Sequence, residues 1–393
     1  MYNSQMICLG QNRSEIRELF EYGNALKKAV GEENVFDFTL GNPSVPTPKE
    51  INETIISLVQ NETSVHGYTS AQGLPEVREK IAQFNRKNYG LPLSANRIYL
   101  TSGAAAALAI ALKATISEEQ NEVIVLAPYF PEYAVFIANA GGIMRVVPMD
   151  EKDFQIDFDA LKGILNEKTA AVIVNSPNNP SGIVYLPQTL SMLAQTLKAA
   201  EDTFGHPIVL ISDEPYREIV FTQKAESPLS YYDNSVLCYS YSKAFSIPGE
   251  RIGYIGVSDK LKDADSYYAA VMGAGRSLGY VCASSLFQRV IAECIAVPSD
   301  IAVYKTNRDL LIKKLSAIGF WISNPQGAFY LLLKAPDGNA KAFCEKAKKL
   351  GLLVVPTDSF GAPGYVRIAT CVSASVIERA MPAFTLLAKE YFN

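Results

Sequence analysis

The chain has 393 residues, 48% of them hydrophobic, which is enough for a large core and for more than one domain. Lys and Arg number 36 against 40 Asp and Glu, a net charge of −4 without any basic run, and this argues against nucleic acid as a partner. Only two histidines occur, His66 and His206, far apart, and the six cysteines form no CxxC pair; zinc sites and Ser-His-Asp triads are poorly supported, and reduced thiols in a cytoplasmic protein are expected.

An opening helix is followed by the Pro-rich bridge Gly41-Asn42-Pro43-Ser44-Val45-Pro46. Ile98-Tyr99-Leu100 then leads into a helix over 104–113, and Val123 to Leu126 leads into one over 130–140. Ala171 to Val174 precedes a helix over 186–200, and the apolar runs Ile208 to Ile211 and Val236 to Tyr239 follow. Wholly apolar strands alternating with helices predict an α/β fold with a mostly parallel sheet covered on both faces. Ligands in such sheets sit beyond the carboxyl ends of the strands. A long helical stretch over 285–318 comes next, broken or kinked at Pro298. A strand at 329–333, a helix at 340–350, a strand at 366–369 and a last helix over 373–390 read as a smaller α+β domain. The expected partition is 1–45 as arm and part of the small domain, 46–290 as the large domain and 291–393 as the rest of the small one. No apolar run is long enough to span a bilayer, and the first residues carry no signal-peptide pattern.

The residues with chemistry to offer stand just after the strand-like runs. Thr101-Ser102-Gly103-Ala104-Ala105 opens a helix whose first N–H groups can face an anion, although an ordinary strand-to-helix turn reads the same way. Tyr129, Phe130 and Tyr133 form an aromatic cluster that can stack on a flat ligand or simply fill the core. Asn175 to Gly182 is a turn, but a turn does not require the adjacent Asn178 and Asn179, whose amides can donate to a phenolic oxygen. Asp213 closes a buried strand, where a carboxylate is costly unless paired; a pyridinium N–H is one such partner and a helix cap is the plain alternative. Tyr216 lies three residues on. Most decisive is Ser240-Tyr241-Ser242-Lys243, followed after eight residues by Arg251. A lysine amine forms a Schiff base with an aldehyde, and hydroxyls with a guanidinium grip a phosphate. An aldehyde that carries its own phosphate is pyridoxal phosphate. Arg367, inside the apolar run Tyr365 to Ala369, either snorkels or grips a carboxylate.

Together these motifs resemble the class I/II pyridoxal-phosphate aminotransferases of fold type I over nearly the whole chain. The resemblance implies that Lys243 carries the coenzyme and moves the proton, that Asp213 pairs with the pyridine nitrogen, and that Asn179 and Tyr216 hold the ring hydroxyl oxygen. It implies Phe130 against the ring, and Ser240, Arg251 and the N–H groups around Gly103, Ala104 and Ala105 on the phosphate. It assigns the substrate carboxylate to Arg367, assisted by Gly41, and Tyr68 to a partner subunit's phosphate in a homodimer with shared active sites. The loop alanines Ala104 and Ala105 depart from relatives with polar residues there, among them a lysine that reads a distal acid.

Arg276, in 273–280, which reads as a glycine-rich loop, is the candidate for holding a distal carboxylate, as in aspartate or glutamate; a plain surface or interface arginine is the alternative. A C–S β-lyase, a decarboxylase and a non-catalytic coenzyme-binding module remain as other readings of the same residues.

Overall fold

The computed structural model describes residues 2–11, 15–222 and 224–392. Seven strands form the central sheet in the order Ile98–Thr101, Gly253–Val257, Ser235–Ser240, Val209–Asp213, Thr169–Asn175, Glu122–Leu126, Ile143–Val147. Gly253–Val257 runs against both neighbours, and every other pair is parallel. The first six strands are buried along their whole length, as a sheet covered on both faces requires.

Successive residues of each strand enter opposite layers. Val123, Ile173 and Ile211 join Ala107, Ile110 and Val271 from the helices Gly103–Thr115 and Ala264–Leu278 on one face. Ile124, Val172 and Leu210 join Leu190, Leu193 and Leu197 of the helix Pro187–Phe204 on the other. Each such side chain, fully buried, contributes about 1.5–3 kcal/mol.

A separate core lies beside this sheet. Phe38, Leu311, Leu315, Phe343, Ile377 and Phe384 pack there against Leu331, Leu333, Val366 and Ile368. Its strands Val355–Pro356, Tyr365–Ala369 and Tyr330–Lys334 are antiparallel, and Phe36–Asp37 pairs in parallel with Leu352–Leu353. The opening segment is thereby tied to the end of the chain.

One sequence expectation holds and another is corrected. The stretch 285–318 breaks at Pro298, as expected, into the helices Ser285–Cys294 and Ala302–Ala317. The glycine-rich stretch 273–280 is not a loop: residues through Leu278 belong to the helix Ala264–Leu278. Glycine stands inside that helix for closeness, since a Cβ at Gly275 would come within 2.4 Å of the Tyr99 hydroxyl on the sheet. The strands Ile143–Val147 and Gly253–Val257 were not anticipated. The first is an edge strand with a mostly solvent-facing pattern, and the second is short and rich in glycine.

Candidate active site at the carboxyl rim of the sheet

Strand register brings the motifs to one rim. Asn175 is level with Asp213, Asp213 with Cys238, and Ser240 with Gly253. The antiparallel strand begins where its neighbours end, so Arg251, just ahead of it, reaches the same rim. A cavity of about 300 Å³ opens there, and Lys243, Asp213, Tyr216, Asn179, Arg251 and Arg367 all line it. Ala104, Ala105, Phe130, Ser240 and Gly41 complete its wall.

Lys243 sits in the one-turn helix Tyr241–Ala244 and donates from Nζ to the Gly41 carbonyl at 2.6 Å. Burial, with Arg251 and Arg367 adding to it against the opposing effect of Cys371, lowers its amine to about 8. Asp213 is 5% exposed. Tyr133 donates to its Oδ2 at 2.6 Å, and its Oδ1 has no hydrogen-bond partner among the described residues. Burial pushes this carboxyl up to about 7, against the pull of the Tyr133 hydrogen bond.

Arg367 is 2% exposed. Its guanidinium donates to Asn179 Oδ1 at 2.9 Å and to the Thr39 carbonyl at 2.5 Å, while Nε has no hydrogen-bond partner among the described residues. The Tyr330 ring lies 4.6 Å from the guanidinium carbon. Asn179 follows a turn fixed by Asn175, whose Oδ1 accepts from the Asn179 backbone and whose amide donates to the Asp213 carbonyl.

On the opposite wall, Arg251 donates to the Ser102 carbonyl at 3.3 Å and to Ser242 Oγ at 3.4 Å, and Ser240 Oγ bonds Ser242 Oγ at 2.8 Å. Gly103 opens its helix at φ +79°, and a Cβ there would lie 2.7 Å from the Arg251 guanidinium. Only glycine fits both the conformation and the space. Phe130 meets Tyr133 edge-on, 5.8 Å between centroids.

The family model described as "Aminotransferase class I and II" matches residues 33–384. The chain belongs to this family. An aspartate aminotransferase of Thermotoga maritima is 32% identical, over 89% of this chain and 90% of its own length. A probable aspartate aminotransferase of Methanocaldococcus jannaschii is 30% identical, over 95% and 96%. Among solved structures, an amino transferase of Eubacterium rectale superposes with a TM-score of 0.97 at 50% identity, covering both chains completely.

The aminotransferases of this family depend on pyridoxal phosphate, and the residues present fit that group. The orphaned Asp213 Oδ1 lacks the N–H that a pyridinium carries. The depressed Lys243 amine supplies a neutral nucleophile near neutral pH. The space kept open at Gly103 faces Arg251 and the first turn of a helix, a setting for an anion.

Two expected site residues of this aminotransferase lie outside the cavity. Tyr68 is fully exposed, and Arg276 is exposed in the last turn of its helix. The segments that carry them are joined: Cys282, just past the helix of Arg276, bonds the carbonyls of Thr69 and Ala71, which follow Tyr68. Sequence reasoning passed over Tyr133, Asn175, Ser242 and Tyr330. Tyr133 stood in the aromatic cluster already singled out, and Asn175 in the turn motif. Ile16, from the helix Glu15–Val30, also reaches the cavity, and nothing in the sequence marks it.

Proposed function

We propose that this aminotransferase holds pyridoxal phosphate in the rim cavity, with Lys243 as the attachment amine, and moves the amino group of an L-amino acid to a 2-oxo acid. The observation that carries the reading is that Lys243 Nζ and the unpartnered Asp213 Oδ1 line one cavity with the buried Arg367. The coenzyme supplies an aldehyde for the substrate amine and a ring that draws charge from the substrate Cα.

Each side chain then has a defined task. Asp213, kept in place by Tyr133, holds a proton at the ring nitrogen position. Asn179 and Tyr216 donate toward the ring oxygen. Ser240, Arg251 and the helix N–H groups at Gly103, Ala104 and Ala105 bind the phosphate, and Phe130 covers the ring face. Arg367, with Gly41 beside it, grips the α-carboxylate in two-point fashion and so turns the Cα–H bond toward Lys243. Lys243, with its amine free once the substrate amine has taken its place, would carry that proton from Cα to the carbon on the far side of the nitrogen.

Aspartate is the substrate that these relatives' names carry, and glutamate shares its distal acid; Arg276 is the proposed reader of that acid. Tyr68, Tyr280 and Val281 are exposed apolar side chains on two segments joined through Cys282, which fits a homodimer in which each subunit completes its partner's site. No helix among the described residues is long and apolar enough to cross a membrane; cytoplasmic placement belongs to the same proposal. The test is a panel of amino acids added to coenzyme-loaded protein, followed through loss of the visible absorbance and detection of the 2-oxo acid. Borohydride reduction and peptide mapping should find the adduct on Lys243. A colourless, coenzyme-saturated protein with no adduct there would overturn the reading.

A further inference from the structure

Tyr330 has no part in the assignments above, yet it touches three of the residues that do. Its hydroxyl lies 3.2 Å from that of Tyr216. Its ring lies 4.6 Å from the Arg367 guanidinium carbon. A Cβ at Gly41 would come within 1.7 Å of its hydroxyl oxygen. Tyr330 is 3% exposed and lines the cavity.

We propose that Tyr330 is a positioning residue that conveys occupation of Arg367 to Tyr216, so that a bound substrate carboxylate is felt at the coenzyme's ring oxygen. The inference rests on the proposed coenzyme site. The Arg367 guanidinium has two routes toward the ring oxygen: it donates to Asn179 Oδ1 directly, and, with its other amino group on the Thr39 carbonyl, its carbon lies 4.6 Å from the Tyr330 ring. By these routes it reaches both residues assigned to the ring oxygen.

The sign follows from electrostatics. The Arg367 charge makes the Tyr330 and Tyr216 hydroxyls more acidic than their burial alone would leave them. Either hydroxyl of the pair can donate, but a Tyr216 proton committed to the ring oxygen leaves Tyr330 as the donor between them; a more acidic Tyr330 hydroxyl then donates more strongly to Tyr216, and Tyr216 more strongly to the ring oxygen. A carboxylate on Arg367 cancels the charge and weakens the chain. Negative charge on the ring oxygen is then less stabilised, and the conjugated nitrogen at Lys243 keeps its proton to higher pH. The other groups facing this set are Asp213, Arg251 and Cys371. The buried Cys371 thiol is pushed up to about 12 and stays neutral, and Asp213 would be held charged by the ring N–H of a bound coenzyme.

The experiment titrates the visible absorbance of coenzyme-loaded protein against pH, with and without succinate, a carboxylate that has no amine to react. Tyr330→Phe should keep the visible band, raise the midpoint without succinate by about half a unit or more, and shrink the further rise that succinate causes. Combined with Tyr216→Phe, it should add nothing to the midpoint of Tyr216→Phe alone. Gly41→Ala, which drives the hydroxyl from its place, should reproduce the same optical change. An unchanged midpoint and succinate response in Tyr330→Phe, or additive effects in the double variant, would leave Tyr330 a packing residue. Loss of all coenzyme from Tyr330→Phe would also overturn the proposal, because a positioning role leaves the other anchors intact. Absence of a visible band in the parent protein is a different failure, that of the coenzyme site itself.

Discussion

Tyr133 gives its hydroxyl proton to one oxygen of Asp213 at 2.6 Å and leaves the other oxygen bare toward the cavity. The carboxylate is thus fixed in orientation and unsatisfied in charge. In coenzyme-free protein its raised value, about 7 against 3.8 unfolded, means that stability is fully present below about 4 and is lost as pH rises through 7. Asp213→Asn should therefore raise the melting temperature of coenzyme-free protein by a few degrees at pH 8 and by less at pH 5, as scanning calorimetry would record. The parent should gain more than the variant when coenzyme is added, because only the parent has a charge awaiting its partner.

Lys243 bears on a second pH dependence. Its amine is lowered to about 8, so the neutral form accumulates as pH rises through that value rather than through 10.5. The rate of coenzyme uptake by coenzyme-free protein, read as growth of visible absorbance, should level off above about pH 8. Lys243→Ala should show no covalent uptake at any pH and should lose at least about 1,000-fold in turnover.

Gly103 tests the anion side of the site. Gly103→Ala adds a methyl group 2.7 Å from the Arg251 guanidinium at a backbone φ of +79°. Strain of about 1–3 kcal/mol and a displaced Arg251 should weaken coenzyme binding by at least roughly tenfold. Equilibrium dialysis would measure it, and undiminished affinity would remove Arg251 and the helix start from the phosphate's contacts.

Arg367 is held by Asn179, Thr39 and the Tyr330 ring, so its planar fork is presented in one orientation. Arg367→Lys keeps the charge and loses the fork. A fall in kcat/KM of roughly 30- to 1,000-fold is expected for every amino acid tested, shared between KM and kcat because the grip also aims the Cα–H bond.

Arg276 should behave differently. Arg276→Ala is expected to raise KM sharply for aspartate and glutamate and to leave monocarboxylic amino acids little affected. Steady-state kinetics across the two classes decides it: an equal loss for all substrates removes Arg276 from substrate recognition.

The apolar runs made five of the seven strands of the central sheet legible, since a strand buried on both faces has no freedom to carry polar residues. Ile143–Val147 escaped because an edge strand tolerates Arg145 and exposed positions. Gly253–Val257 escaped because its glycines serve close packing: a Cβ at Gly253 would stand 2.3 Å from the Tyr239 carbonyl. The same cause misleads at Gly275, where a glycine kept for closeness to Tyr99 inside a helix reads as part of a loop. Among site residues, Asp213, Lys243 and Arg367 were legible because a charge in an apolar setting demands a reason. Tyr133 and Tyr330 were not, because a tyrosine among aromatics is indistinguishable from packing until its hydroxyl is seen to have a partner.

Ser240 is paired with Gly253 in the antiparallel ladder, so the twelve residues between them leave and return at one fixed point of the sheet. Both Lys243 and Arg251 lie within that closed excursion. Its length acts as a ruler between the two ends of whatever they hold: gaining or losing a single residue there could not be absorbed by a floppy connection, and would change the reach from amine to guanidinium directly.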